Sequence, residues 1–240
     1  MWFIYLLIDG LTSNQLVQSQ QKESNMKIGI IGSGIVGQVL SKAFKSEGHE
    51  VILGTRNTAK EEVIKFKNQN PGIAIGTFEE TAMNSDLLVL AVKGDAVEEV
   101  IRLAGAKNFS DKIVIDTTNP IAAEPPVNGV LKYFTDINSS LMEKIQRILP
   151  AAKIVKAFNS VGNGAMYKPN FPSGKPSMFI CGNDDEAKKT VTDILTAFGW
   201  ETEDMGKAEA ARAIEPLCML WCIPGFIRNQ WTHAFKLLKA

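Results

Sequence analysis

The sequence predicts an α/β protein with a doubly wound, mostly parallel sheet and a small C-terminal helical region. Gly32, Gly34 and Gly37 form the pattern G-x-G-x-x-G between an apolar run at residues 28–31 and a helix-like segment at residues 35–45. From that point onward, short apolar runs alternate with segments of helical periodicity, as parallel strands and their crossover helices do. These two observations together predict a sheet of the Rossmann type.

Each glycine of the turn has a physical reason. Gly32 permits the tight turn after the first strand, Gly34 lets the backbone approach a pyrophosphate, and Gly37 lets the helix pack closely on the strand. The unpaired N–H groups and the positive dipole end of the new helix favour phosphate. The turn therefore predicts a dinucleotide site.

The first half of the chain continues the alternation of strands and helices. Strands are predicted at residues 28–31, 50–53, 86–92 and 112–116, with a short apolar stretch at 71–76. Helices are predicted at residues 35–45, 58–68, 78–83 and 95–103. Right-handed crossovers between these strands place the glycine turn at the switch point of the sheet.

The second half has the same pattern with longer excursions. Further strands are predicted at residues 153–158, 177–181 and 200–204, a helix at 139–149, and a long loop at 160–175. Asn183 is predicted to cap a helix whose first turn is acidic, and we interpret those acids as structural. Residues 207–240 show a helical pattern that is broken or kinked near Pro216, Pro224 and Gly225. We therefore divide the chain into a dinucleotide-binding domain at 26–206 and a C-terminal helical region at 207–240.

The composition is that of a globular protein without a strong charge bias. Lys and Arg together number 26, as do Asp and Glu, so nothing indicates binding to nucleic acid or to an anionic membrane surface. The three cysteines lack C-x-x-C spacing, which indicates reduced thiols in a cytoplasmic protein. The two histidines, His49 and His233, are far apart, so we expect no metal site and interpret both as structural residues.

Residues 1–25 lie outside the alternating pattern. An apolar run at residues 2–8 precedes a polar stretch, but no Lys or Arg precedes that run and no clear small-x-small cleavage site follows it. The run is also too short to span a bilayer. We expect residues 1–25 to be a disordered extension upstream of a natural start at Met26, with an export signal as the alternative.

The end of the second strand predicts which dinucleotide binds. NAD-preferring folds usually place Asp or Glu there to bond the ribose 2′-hydroxyl. This chain instead has Thr55 and Arg56, with Lys60 shortly after. A planar guanidinium and an ammonium can hold a 2′-phosphate through charge-assisted hydrogen bonds. The sequence therefore predicts NADP(H).

Five motifs give the chain a family resemblance from about Met26 to its C-terminus. The segments GSGIVG, GTRNTAK, DTTNP, VKAFNSVG and CGNDDEAKK resemble the NADP oxidoreductase family that includes deazaflavin (coenzyme F-420)-dependent NADP reductases. They equally resemble the NADPH-binding reductase domain of six-transmembrane metalloreductases. The resemblance implies a Rossmann-type sheet with a small C-terminal helical part, usually a homodimer, and hydride transfer between nicotinamide and a flavin-like ring.

The resemblance also implies which residues contact NADP(H). The glycine turn and the start of its helix would meet the pyrophosphate through Gly32, Ser33, Gly34, Ile35 and Val36. The 2′-phosphate would meet Thr55, Arg56 and Lys60, and the adenosine or ribose side would meet Val92 and Lys93. The nicotinamide would lie between Asn119 and Pro120 on one side and Ala157, Phe158 and Asn159 on the other. Asn159 stands where some deazaflavin reductases have histidine, so this position agrees better with the metalloreductase version.

The predicted function is therefore an NADP(H)-dependent oxidoreductase that passes hydride to or from a flavin or deazaflavin. Such a transfer needs close ring stacking and no obligatory protein acid or base, so we assign no catalytic residue. The alternatives are an NADPH-binding redox sensor without turnover and a reductase of a small carbonyl or imine compound. The aromatic C-terminal segment at 214–235 would be core, dimer contact or the floor of a ring pocket. Its charged residues and prolines argue against a membrane span.

Overall fold

The computed structural model describes residues 25–239, and these form a doubly wound eight-stranded sheet. Its strand order is β3-β2-β1-β4-β5-β6-β7-β8. The bounds are β1 Lys27–Ile31, β2 Glu50–Thr55, β3 Ala74–Thr77, β4 Leu87–Leu90, β5 Ile113–Asp116, β6 Lys153–Lys156, β7 Ser177–Gly182 and β8 Glu201–Asp204. The predicted fold class is confirmed.

The helices cover both faces of this sheet. Their bounds are α1 Ile35–Ser46, α2 Glu61–Gln69, α3 Phe78–Met83, α4 Val97–Ala104, α5 Leu141–Ile148, α6 Asp185–Ala197 and α7 Ala211–Arg228. Short 3-10 turns lie at Gly94–Ala96, Ala106–Phe109, Asn163–Ala165 and Ala208–Ala210.

The strand directions place the carboxyl ends of six strands at one edge of the sheet. β1 lies between β2 and β4 with Ile30 opposite Leu53 and Val89, and the pairs from β3 to β6 are parallel. β7 runs antiparallel to β6, and β8 is parallel to β7. Because the connections after β1, β2, β4, β5 and β6 all leave from the same edge, the predicted site residues meet there.

Two apolar layers hold the helices to the sheet. One contains Phe44 of α1 and Phe198 just after α6, whose rings lie 5.0 Å apart in an edge-to-face arrangement. The other contains side chains of α3, α4 and α5, including Val97 and Ile145, packed on Leu88 and Val114. Continuous burial along β4 explains why its sequence lacks the alternation of a half-exposed strand.

The structure corrects the prediction of which residue caps α6. Asp184, and not Asn183, caps α6, because its carboxylate accepts a hydrogen bond from the N–H of Ala187 at 2.8 Å. Asn183 instead accepts from the N–H of Ala208 and so positions the turn before α7. A local sequence pattern does not distinguish these two neighbours, because both are good capping residues.

The C-terminal region also differs from its prediction. Pro216 and Pro224 lie inside α7 without ending it, and residues 229–239 follow without helix or strand. This last segment returns to the sheet, where the carbonyl of Phe235 accepts a hydrogen bond from the N–H of Ser177. The expected helical region at 207–240 is therefore one helix followed by an extended tail.

Two other predictions concern membranes and the N-terminus. Among the described residues, one helix, Ala208–Arg228, is long and apolar enough to cross a membrane by length and composition. It carries Glu215, which is 1% exposed and ion-paired inside the protein, as in a helix packed on a domain. We predicted that residues 1–25 are a disordered extension. Residues 1–24 of this segment lie outside the described part of the chain.

Candidate functional site

The glycine turn has the geometry of an anion-binding helix start. Gly32 has φ +128°, and a Cβ there would overlap the carbonyl oxygen of Ala91. At Gly34 a Cβ would have no described atom within 4 Å, so the space in front of the helix is open. Among the described residues no side chain caps α1, and its first turn, which begins with Ile35 and Val36, is free of acids. Its N–H groups are therefore available to phosphate oxygens.

Ser33 and Thr55 come together beside this turn. The hydroxyl of Ser33 donates to the hydroxyl of Thr55 at 3.0 Å, and Thr55 is 3% exposed. The contact joins the glycine turn to the end of β2. The structure thus brings together two side chains that are 22 positions apart in the sequence.

Arg56 and Lys60 stand at the mouth of the same region and are exposed. The guanidinium Nη2 of Arg56 lies 3.4 Å from Oε1 of Glu99 on α4, and the ammonium of Lys60 lies 2.6 Å from Oε1 of Glu62. Each predicted phosphate-binding cation is thus paired with a carboxylate here. The sequence analysis did not identify Glu99 as a partner of Arg56. The two residues are more than 40 positions apart, and no sequence motif links them.

The end of β4 lines the other side of the turn. Val92 packs beside Gly32, since a Cβ on Gly32 would lie 2.9 Å from its Cγ1 atom. Lys93 is exposed and precedes the 3-10 turn at Gly94–Ala96. Gly94 lies so close to Asn119 that a Cβ would overlap the carbonyl oxygen of that residue. Absence of a side chain at Gly94 therefore lets the β4 and β5 turns approach each other.

Asn119 and Asn159 are hydrogen-bonded to each other across the ends of β5 and β6, and we call this pair the clasp. The amide of Asn119 donates to the carbonyl of Asn159 at 2.8 Å, and Nδ2 of Asn159 donates to Oδ1 of Asn119 at 3.2 Å. The same Nδ2 donates to the carbonyl of Ile214 at 3.0 Å, which fixes the amide orientation. Its Oδ1 is buried and lacks a hydrogen-bond partner among the described residues. A buried acceptor without a partner is costly in isolation and suits a ligand N–H.

The turns around this clasp are largely buried, and one of them has an uncommon backbone conformation. Pro120 and Ala157 are buried on either side, so both contribute walls rather than polar groups. Phe158 is 1% exposed and has φ +61°, an uncommon conformation for an aromatic residue. Such strain persists where the surrounding packing over-determines it, and it clusters at functional sites.

Behind the clasp lies a buried ionic cluster that sequence reasoning missed, formed by Asp116, Lys156 and Glu215. The Nζ of Lys156 lies 2.6 Å from Oδ2 of Asp116 and 3.0 Å from Oε1 of Glu215. The contact with Asp116 Oδ2 is ionic, because this oxygen makes no hydrogen bond of good geometry with the described residues. Burial alone lowers the pKa of Lys156, but the two carboxylates outweigh it and raise that pKa. The Lys156 ammonium is therefore charged.

Tyr133 and the two histidines are held in structural contacts. The hydroxyl of Tyr133 donates to the carbonyl of Glu215 at 2.8 Å, and burial raises the pKa of this tyrosine. His233 stacks on Trp221 with ring centroids 5.0 Å apart, and Trp221 donates its indole N–H to the carbonyl of His233. His49 is buried against Phe44 and interacts with the N–H of Met26. These contacts agree with the structural interpretation of both histidines.

One cavity among the described residues lies away from this site. Its volume is about 780 Å³, and it is lined by Gln146, Arg147, Lys153, Asn183 and Glu209 among others. Lys153 begins β6, whereas the clasp lies beyond the carboxyl end of that strand. The cavity is therefore at the opposite edge of the sheet from the glycine turn.

The fold and the glycine turn together define a doubly wound protein of the dinucleotide-binding class. Residues 27–120 match the family model described as NADP oxidoreductase, coenzyme F420-dependent. The match covers less than half of the chain, and the resemblance to this family that the sequence predicts is confirmed.

Relatives of the chain include metalloreductases and F420-dependent NADP reductases. Metalloreductase STEAP3 of Rattus norvegicus is 30% identical over 224 residues, which cover 89% of this chain but 42% of the relative, so the chain spans less than half of that protein. The F420-dependent NADP reductase of Methanocaldococcus jannaschii is 26% identical over 205 residues, covering 81% of this chain and 90% of the relative.

Solved structures show the same fold. A protein of Arthrobacter sp. FB24, proposed to be an F420-dependent NADP reductase, superimposes with a TM-score of 0.84 at 29% identity, over 90% of this chain and all of that chain. A Streptomyces aurantiacus imine reductase gives a TM-score of 0.58 at 16% identity, over 84% of this chain and 63% of its own. The second likeness concerns the fold alone.

Proposed function

We propose that this protein is an NADP(H)-dependent oxidoreductase that transfers hydride between NADPH and a flavin or deazaflavin. The observation that carries the proposal is the uncapped start of α1 beside Thr55 and Arg56, at a strand end without a carboxylate. N–H groups and a hydroxyl pair suit the pyrophosphate, while the guanidinium and Lys60 suit a 2′-phosphate. The residues present therefore fit the dinucleotide.

The clasp gives the nicotinamide end its proposed contacts. Oδ1 of Asn159 is a buried acceptor without a described partner, and a carboxamide N–H would satisfy it. The amide of Asn159 cannot turn over without losing both of its donor bonds, to Asn119 and to Ile214. Asn159 thus holds an acceptor in a fixed place, and the strained turn at Phe158 supports it.

The proposed electron acceptor is inferred from the proton donors that the site contains. NADPH supplies the hydride, and transfer to a flavin-type ring needs close stacking rather than a protein acid. A carbonyl or imine reductase normally needs a proton donor at the reacting atom. Tyr133 and His233, the candidates near α7, are committed to carbonyl contacts. Because hydrogen bonds already occupy these two groups, neither is a free proton donor. This and the names of the relatives favour a flavin or deazaflavin as the small-molecule electron acceptor.

The setting of the proposed reaction is the cytoplasm, with the protein as a homodimer. Cysteines 181, 218 and 222 are free thiols, as expected in a reducing compartment. Leu220, Phe226 and Ile227 of α7 are exposed apolar side chains, which suits a contact between two copies. Light scattering of the purified chain tests the dimer directly.

The experiment that tests the function combines binding with turnover. Binding of NADPH and NADH is measured by calorimetry, and NADPH oxidation is then followed with FMN, FAD, a deazaflavin and a cyclic imine. Oxidation with flavin or deazaflavin supports the proposal. Oxidation by the imine alone favours the carbonyl or imine reductase, and tight NADPH binding without any turnover favours a sensor. No binding of either dinucleotide contradicts all three.

Arg56 should determine the preference for NADPH over NADH. Arg56→Ala removes one guanidinium from the 2′-phosphate, so the Kd for NADPH should rise by about tenfold or more. The Kd for NADH should stay nearly unchanged, because NADH lacks that phosphate. Calorimetric titration with both dinucleotides measures the two constants.

Arg102→Ala is the matched control for this prediction. Arg102 is also an exposed arginine, but it lies in the last turn of α4, away from the strand ends. Its loss should leave both constants unchanged. Equal weakening of NADPH and NADH in Arg56→Ala would show that Arg56 does not contact the phosphate.

A further inference from the structure

The ionic cluster of Asp116, Lys156 and Glu215 is completely enclosed by protein. The side chains of Asp116 and Lys156 are 0% exposed and that of Glu215 is 2% exposed. Isolated charges are rarely buried this deeply, because removing each one from water costs several kcal/mol. The cluster therefore needs a reason beyond stability.

The charges of the cluster do not balance. Two carboxylates face one ammonium, so the formal charge of the cluster is −1. Part of this excess is offset by the start of α5, where the N–H groups of Leu141 and Met142 each donate to Glu215 at 2.9 Å. A helix start contributes about half a positive charge. A buried net negative charge remains.

The cluster lies directly beneath both turns of the clasp. Asp116 ends β5, and its Oδ1 accepts hydrogen bonds from the N–H and the hydroxyl of Thr118, next to Asn119. Lys156 ends β6 and donates to the carbonyl of Thr118 at 2.9 Å. Glu215 follows Ile214, whose carbonyl holds the amide of Asn159. Each residue of the cluster is thus within three sequence positions of Asn119, Asn159 or Ile214.

We propose that this buried negative charge makes Asp116 and Glu215 positioning residues that bias the site toward the oxidised cofactor. The inference rests on the proposed function. The nicotinamide ring is cationic in NADP⁺ and neutral in NADPH, so a fixed negative charge nearby strengthens binding of the oxidised form. The midpoint potential of the bound NADP couple falls accordingly. Bound NADPH is then a stronger hydride donor than free NADPH.

The test compares the ratio of two dissociation constants, Kd for NADP⁺ over Kd for NADPH. Glu215→Gln and Asp116→Asn each remove one negative charge with little change of shape. Each should raise the ratio by about threefold or more, because one unit of negative charge no longer favours the cationic ring over the neutral one. A tenfold change corresponds to about 30 mV in the potential of a two-electron couple. A role confined to holding the turns in place would weaken both forms alike.

Glu203→Gln is the matched control. Glu203 is also a buried carboxylate, 7% exposed, but it lies on β8, two strands from β6. Its loss should leave the ratio unchanged. An unchanged ratio in a folded Glu215→Gln or Asp116→Asn variant would overturn the inference.

The wild-type protein gives a second measurement that needs no variant. Its bound NADP couple should have a midpoint potential below that of the free couple, measured by equilibration against a redox dye. A bound potential at or above the free value would also overturn the inference. Failure of the wild-type protein to bind either form would instead contradict the proposed function, so the two failures are distinguishable.

Discussion

Replacing Gly37 with alanine should both destabilise the domain and disrupt its proposed dinucleotide site. A Cβ at this position would overlap the backbone carbonyl oxygen of Gly32 and lie 3.3 Å from Cγ2 of Ile30. Since neither backbone can move without separating α1 from β1, the free energy of unfolding should fall by about 3 kcal/mol. The Kd for NADPH should rise by about tenfold or more, because the N–H groups at the helix start move away from the phosphate. Urea unfolding and calorimetry measure the two effects.

Gly34→Ala separates binding from stability in the same turn. Gly34 has φ −71° and open space in front of it, so alanine fits without strain. Its stability should stay within about 0.5 kcal/mol of the wild type. NADPH binding should still weaken, because the new methyl group stands where the pyrophosphate approaches. A Gly37→Ala protein as stable as Gly34→Ala would contradict the packing role of Gly37.

Lys156→Met should cost the most stability of the single changes considered. The substitution keeps a long apolar stem but leaves Asp116 and Glu215 facing each other without a cation. Removing one member of a buried ionic cluster typically costs about 3–5 kcal/mol, because the remaining charges are buried and unpaired. Denaturant unfolding of the purified variant measures this loss.

Lys153→Met is its control on the same strand. Lys153 begins β6 and pairs with Asp184 at 3.5 Å, with both side chains partly exposed to water. Solvent screens that pair, so its loss should change the free energy of unfolding far less. Equal losses in the two variants would show that the buried cluster has no special role in stability.

The local parts of the fold could be predicted from the sequence. The glycine turn and the continuous apolar strands depend on neighbouring residues, and both are where the sequence places them. The place of Thr55 and Arg56 beside the glycine turn could be predicted because they lie at the end of β2. The contacts of Asn119 with Asn159 depend on two strand ends meeting, and the parallel order of β5 and β6 implies that meeting.

The other parts depend on contacts that no local pattern contains. Glu215 is a charged residue within an apolar helix sequence. Its partners lie far back in the chain, namely Lys156 on β6 and the N–H groups at the start of α5. Pro216 follows Glu215 inside α7 because the packed helix tolerates a missing N–H, whereas the pattern alone indicates a break. The tail at residues 229–239 carries aromatic residues with helical spacing, yet its backbone hydrogen bond at Ser177 selects an extended path.

The pairing of Arg56 with Glu99 and of Lys60 with Glu62 has a consequence for the kinetics of binding. Because Arg56 and Lys60 are each paired with a carboxylate, their net electrostatic field is weak at long range. An approaching dinucleotide is therefore attracted little by these residues. The association rate constant should therefore depend only weakly on ionic strength and should be similar for NADPH and NADH. Discrimination would arise after contact, when the 2′-phosphate replaces the carboxylates, so residence time rather than encounter rate would distinguish the two cofactors.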